Sequence, residues 1–230
     1  MKYLSDYAKA FLKLFGVFIS RKPAKFYYDL EDEVISSLIK ASNGVIHIGA
    51  HYGQEANLYN DLNKKVIWIE ALPIVYEKLL SNVEGFENQK AFCALLGDRE
   101  EKNVKMHLSN NDYSASSIYL LDPNSGFDKV RLIDETYLPM TTLDLLLISV
   151  EKESYNHWIL DVQGAELLVL KGSTETLKYC NSIVVEVSSR PTYIGGVEYE
   201  ELKLYLFSKG FTPLWNPLKN DHTNIPFIRF

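Results

Sequence analysis

Cysteine is scarce: Cys93 and Cys180 are the two in 230 residues, far apart and without a CxxC or Cys/His spacing. That excludes a disulfide framework and a structural zinc site, and it fits a reduced, cytoplasmic compartment. Glycine and proline are also sparse, at 12 and 8, which excludes collagen-like and low-complexity chains. Excess positive charge is missing too. With 24 basic against 30 acidic side chains the formal charge is −6, which argues against nucleic acid as a bulk partner. What is present is an ordinary globular composition, 47% hydrophobic and 13% aromatic, at a length that suits one fairly large domain.

The N-terminus departs from this average. Residues 1–25 hold Lys2, Lys9, Lys13, Arg21, Lys22 and Lys25 against Asp6 alone. Leu4, Tyr7, Ala8, Phe11, Leu12 and Phe15 recur at three- and four-residue spacing, which draws an apolar stripe along a helix. Lys13 interrupts that stretch before it reaches the length of a membrane span. Arg21, Lys22 and Pro23 stand where a secretory cleavage site needs small residues. Two readings stay open for residues 1–25. One is a helix packed on the domain or on a partner subunit; the other is a basic amphipathic helix in peripheral contact with an anionic membrane surface. Residues 1–42 are therefore expected as a helical extension to a single domain over 43–230.

From residue 44 short apolar runs alternate with helical stretches, as in a parallel sheet with crossover helices. Strands are expected at Val45–Ile48, Val66–Glu70, Gln89–Ala94, Trp158–Asp161, Ile183–Val187, Thr212–Trp215 and Ile225–Arg229. Helices are expected at Asp32–Ala41, Glu55–Asn60, Pro73–Asn82, Leu143–Ser149, Glu166–Thr176 and Glu198–Lys209. Pro213 and Pro226 mark the last two strands as edge strands or weak ones, because proline cannot donate to a ladder. Residues 99–140 break the rhythm with scattered Asn, Ser, Gly and Pro. They read as an insertion capping the sheet, with a hairpin of Val104–Leu108 and Ser117–Leu121 around the loop Ser109–Ser117.

Two motifs carry chemistry. In Val45-Ile46-His47-Ile48-Gly49-Ala50-His51-Tyr52-Gly53-Gln54 a buried strand runs into a turn whose glycines permit positive φ and close ligand approach. About twenty residues on, the next strand ends in Glu70, where a carboxylate can accept both ribose hydroxyls. The spacing is not GxGxxG, which weakens a dinucleotide reading. In the second motif, His157 to Glu166, Asp161 sits at the carboxyl end of another buried strand, where it can accept a proton, ligate a cation or hold a ligand. Gly164 lets the chain turn into the Glu166 helix, whose acid complements the helix dipole. Glu186 lies among β-branched residues of a later strand and needs a partner, either Asp161 through a shared proton or metal, or Arg190.

These motifs together resemble the FkbM family of S-adenosylmethionine-dependent methyltransferases, through IHIGAHYGQE at 46–55, WIEALP at 68–73, ALLGD at 94–98, SASS at 114–117, TTLD at 141–144, ILDVQGAELLVLKG at 159–172 and VVEVS at 184–188. The resemblance covers roughly residues 43–212. It implies an α/β, Rossmann-like, seven-stranded class I methyltransferase sheet, ending in an antiparallel strand, that binds S-adenosylmethionine and methylates a hydroxyl oxygen of a small molecule or glycan, often a sugar. By position, Ile48, Gly49, Ala50, His51, Gly53 and Gln54 would hold the methionine part, and Glu70 with Ala71 the ribose. Leu95 and Ser116 or Ser117 would take the adenine side, and Asp161 with Val162 the methyl group. Many relatives carry aspartate where this chain has His47.

For transfer to an alcohol the protein must position the acceptor and deprotonate it. Asp161 is the expected base, alone or through a metal also bound by Glu186. His51 is the rival base, and His107 in the insertion either reaches the acceptor or is a solvent-exposed strand histidine. Tyr113 and the SASS tract are candidates for an acceptor pocket. An NAD-dependent oxidoreductase or sugar-nucleotide enzyme is the competing class, weakened by the missing third glycine. An inactive cofactor-binding module is the third.

Overall fold

The computed structural model describes residues 25–188, 192–217 and 222–230. The basic N-terminal stripe and Arg190 lie outside the described residues. The described residues open with α1 (Lys25–Ala41), longer than expected, followed by β1 (Gly44–Ile48), α2 (Ala56–Asp61), β2 (Lys65–Glu70), α3 (Pro73–Val83) and β3 (Gln89–Cys93). β4 (Leu95–Leu96) leads into the insertion, which holds β5 (Glu101–Ser109), β6 (Leu120–Leu121) and most of β7 (Leu132–Thr141). Then come α4 (Leu143–Leu146), β8 (His157–Leu160), α5 (Glu166–Lys171), β9 (Ser182–Ser188), β10 (Tyr193–Ile194), α6 (Tyr199–Ser208), β11 (Phe211–Pro213) and β12 (His222–Arg229).

Seven strands form the main sheet in the order β11-β12-β9-β8-β1-β2-β3. The pairs from β9 through β3 are parallel, whereas β12 runs antiparallel to both β9 and β11. Every residue of β1 is buried, because the sheet carries helices on both faces. Alternation sorts its side chains: Ile46 and Ile48 join Ile67, Ile69, Trp158 and Leu160 in one core, while Val45 joins Val66, Trp68 and Leu79 in the other. The chain leaves β1 toward β2 on one side and returns as β8 on the other. That reversal opens a crevice at the carboxyl ends of these strands.

The crossing at this crevice explains the first glycine. Gly49 has φ +79°, and a Cβ there would lie 1.6 Å from the Asp161 carbonyl oxygen. Gly49→Ala is therefore expected to cost on the order of 4 kcal/mol, roughly 8–16 °C in melting midpoint for a chain this size. Gly85→Ala, with nothing within 4 Å of the added Cβ, is the control and should melt like wild type. Equal melting of the two variants by calorimetry would refute the account.

Several expectations need correction. Pro226 lies in β12, which is interior to the sheet and not an edge strand. Its carbonyl accepts the Leu214 N–H at 2.9 Å; in an antiparallel strand the missing N–H points the same way, toward the end of β11, so the β9 ladder is untouched. The hairpin does not pair as expected. β5 pairs antiparallel with β7 across the insertion, and β4 pairs parallel with β7 on its other side. Only a single bridge joins His107 to Ser117, while β6 pairs with β10. The α5 helix stops at Lys171, and the C-cap Gly172 then passes so close to Gly97 that a Cβ would meet its carbonyl oxygen at 1.9 Å. The TTLD motif proves architectural: Thr142 caps α4, and Asp144 accepts the amides of Glu175 at 2.9 Å and Thr176 at 2.7 Å. At the front of the chain Val34, Leu38 and Ile39 bury one face of α1. Glu31 on the same helix accepts from Thr223 Oγ1 and the Asn224 N–H, both at 3.0 Å. Among the described residues no helix is long and apolar enough to cross a membrane.

Candidate active site

A cavity of about 360 Å³ lies at the carboxyl ends of β1, β2 and β8, roofed by the insertion. Of the residues singled out from sequence, Ile48, Gly49, Ala50, His51, Gln54, Glu70, Ala71, Leu95, Ser116, Asp161 and Val162 line it. Gly53, Ser117 and Glu186 do not. Gly53 serves the fold instead: it has φ +68°, and a Cβ there would press on Leu79 at 2.6 Å. Ser117 turns away and donates to the Gln163 carbonyl at 2.7 Å, which ties the insertion to the loop after β8. Of the two serines only Ser116 lines the cavity.

Glu70 ends β2 with its carboxylate pinned by backbone. Oε2 accepts the His51 N–H and Oε1 the Leu72 N–H, each at 2.9 Å. Burial pushes its pKa up, and the amides of Leu72, His51 and Ala71 pull it back. Each oxygen keeps a second lone pair, so the group can still accept from two hydroxyls. His51 is held as firmly, with φ +46°. Its Nε2 lies 2.8 Å from the Asp112 carbonyl, and Gln54 Nε2 lies 3.0 Å from its Nδ1. A carbonyl can only accept and an amide NH₂ only donate, so the ring proton sits on Nε2 and the Nδ1 lone pair is engaged. As a base His51 is thus occupied; its place is to join the glycine turn to the insertion. His107 is buried rather than exposed, pairs with Glu135 at 3.3 Å and does not line the cavity.

Asp161 follows the last residue of β8, and its main-chain N–H continues the ladder to the Ile48 carbonyl at 3.0 Å. Gln163, two residues on and at φ +55°, brings it together with Glu186. Gln163 Nε2 donates to Asp161 Oδ1 at 2.5 Å and to Glu186 Oε2 at 3.1 Å, while Tyr193 donates to its Oε1 at 2.5 Å. The Asp161 and Glu186 side chains also hydrogen-bond to each other, the contact expected of two acids sharing a proton. Among the described residues no group of three or more metal-capable side chains is found. Gln163 thus links the two carboxylates through hydrogen bonds. Burial pushes the Asp161 carboxyl well above the usual range, reinforced by the Glu186 and Glu166 charges. Gln163 carried no signal in the sequence beyond a polar turn residue, yet it organises the whole cluster.

Glu166 is deeper. Its Oε1 accepts the N–H groups of Val162 at 3.2 Å and Gly164 at 3.1 Å, which fixes the loop carrying Asp161 and Gln163. Burial pushes its pKa from 4.5 up to about 7. The folded form thus binds a proton that the unfolded form releases. The associated stability is fully present below pH 4.5 and is lost as pH rises through about 7, on the order of 3 kcal/mol. Glu166→Gln keeps an acceptor oxygen and cannot ionise. Its midpoint in chemical denaturation should vary less with pH across that window than that of wild type, and parallel curves would refute the assignment.

The cavity floor carries two groups unforeseen as ligand contacts, His47 and Glu55. His47 is buried, stacks on Trp68 with ring centroids 4.9 Å apart, and shares a 3.2 Å hydrogen bond with the Tyr59 hydroxyl. Burial pushes its pKa down, so it stands neutral. From the insertion, Tyr113 and Ser114 complete the wall.

Comparison with known proteins follows the same lines. A family model described as the methyltransferase FkbM domain matches residues 47–213. The chain is 26% identical over 172 residues to the 2-O-methyltransferase NoeI of Sinorhizobium fredii, covering 71% of this chain and 70% of that protein. Among solved structures, an rRNA methylase from Streptococcus thermophilus is 12% identical with a TM-score of 0.49, covering 92% of this chain and 98% of that one. Fibrillarin from Aeropyrum pernix, with S-adenosyl-L-methionine bound, is likewise 12% identical at a TM-score of 0.49, covering 85% and 74%.

Proposed function

Because this chain belongs to the FkbM methyltransferase family and is a methyltransferase that uses S-adenosylmethionine, we propose that it methylates a hydroxyl oxygen of a small molecule or glycan, with a sugar as the leading acceptor. The observation that carries this reading is Asp161, a half-buried carboxylate with its pKa pushed up, standing on the cavity wall at the carboxyl end of β8. An alcohol must lose its proton as it accepts a methyl group, and a base with a raised pKa takes that proton more readily than an ordinary carboxylate. The 2-O-methyl transfer named for NoeI supports oxygen as the accepting atom.

The residues present fit the cofactor. The volume suits a nucleoside-sized ligand, a pinned carboxylate ends β2 for the ribose, and the Gly49 turn leaves backbone accessible beside it. S-adenosylmethionine supplies an activated methyl group and its own leaving group. The protein's share is to hold Glu70 against the ribose hydroxyls, the Gly49 to Gln54 turn against the amino-acid part, and Leu95 with Ser116 on the adenine side. Asp161 takes the acceptor proton, while its Oδ1 accepts from Gln163. Glu186 stands behind the same amide and holds Gln163 rather than touching the acceptor. Tyr113 and Ser114 offer a ring face and a hydroxyl to a saccharide.

Incubation with labelled S-adenosylmethionine and a panel of sugars, glycans and amines tests this reading. Label stable to mild base on a sugar hydroxyl is the expected result. Transfer to nitrogen alone would overturn it.

A further inference from the structure

Each ionisable group on the cavity wall can be asked what already satisfies it. Glu70 accepts two backbone amides, Asp161 accepts from Gln163, and His51 uses both ring nitrogens. Glu55 is different. It lines the same cavity, half-buried, at the residue before α2, and its side chain makes no capping hydrogen bond. Its carbonyl accepts the Tyr59 N–H at 3.0 Å, but among the described residues its carboxylate has no hydrogen bond or ion pair. The His47 ring feels the Glu55 charge, but burial pushes its pKa down more strongly, so it gives Glu55 no full countercharge. A carboxylate left unpaired in a partly enclosed site loses hydration without return, and a cationic ligand group restores the balance.

The position narrows the cation. Glu55 adjoins the Gly49 to Gln54 turn, at the opposite end of that turn from the β1 to β8 crossing where Asp161 stands. We propose that Glu55 is the counter-ion for the α-ammonium group on the methionine part of S-adenosylmethionine. The assignment rests on the cofactor reading above and gives this chain's turn a charged contact of its own.

S-adenosylhomocysteine lacks the sulfonium charge, so its affinity reports the ammonium without the second cationic centre. Calorimetric titration of wild type and Glu55→Gln, each with S-adenosylhomocysteine and with its analogue lacking the amino group, tests the contact. The variant should bind S-adenosylhomocysteine about tenfold more weakly, as expected for a partly exposed charge-assisted hydrogen bond. The analogue should bind both proteins alike. The ratio of the two affinities within one protein does not depend on how much of a variant is folded, so a destabilised variant still reports. Equal weakening toward both ligands would overturn the proposal, since Glu55 would then shape the site without touching the amine. Unchanged affinity for both would overturn it too. Failure of wild type to bind S-adenosylhomocysteine would remove the cofactor reading itself, and this inference with it.

Discussion

Asp161→Asn should lower methyl transfer by about 10²- to 10⁴-fold while leaving the affinity for S-adenosylhomocysteine within a few-fold of wild type. Asparagine keeps the Oδ1 that accepts from Gln163 Nε2, so the cluster retains its shape and loses only its base. Wild-type rate should rise with pH through a titration above the ordinary carboxylate range, as burial and the Glu186 and Glu166 charges demand. The variant should lack that rise. A second readout has the opposite sign. A buried carboxyl whose pKa is raised contributes stability that is complete below its unfolded value of 3.8 and is lost as pH climbs through the folded value. The asparagine variant should therefore melt higher than wild type at pH 8 and match it near pH 4. Near-normal turnover in the variant would sink the assignment of Asp161 as base, whatever the melting curves show.

The second large effect concerns Glu70. Glu70→Ala removes the acceptor for the His51 and Leu72 amides as well as the proposed ribose contact. Hydrogen bonds to a charged acceptor are each worth about 1.5–3 kcal/mol. Affinity for S-adenosylhomocysteine is expected to fall by about 100-fold or more, with a lower melting midpoint from the two orphaned amides. Glu70→Gln retains one acceptor oxygen and should lose less on both counts. An alanine variant that binds the product normally would show that the ribose lies elsewhere in the cavity.

The parts of this fold legible in the sequence were those whose burial is written locally. β1, β2, β8 and β9 are short apolar runs because both faces are covered, and that pattern survives without knowledge of neighbours. Glu70 and Asp161 were legible for a related reason, since an acid that ends such a run stands at a sheet edge. What escaped depends on partners distant in the chain. Val104–Leu108 paired with the nearest strand-like stretch on paper, yet its register is set by Leu132–Thr141. Nothing in Pro226 itself says that its missing N–H faces a strand that has already ended. Gln163 and Glu55 escaped for a third reason. An amide in a turn and an acid before a helix are both common solvent-facing residues, and only the closed network or the empty surroundings reveal a task.

The close passage of Gly49 over the Asp161 carbonyl makes the cofactor turn and the base loop a single mechanical part. Any side chain larger than glycine at position 49 would therefore displace the loop that carries Asp161. The insertion is fastened to the two turns by Ser117 on Gln163, Tyr193 on the Ala115 carbonyl and His51 on Asp112, and to the rest of the chain by the β6–β10 pairing. A different roof over residues 99–140 would have to keep all of these fastenings to leave Gly49 and Asp161 where they stand.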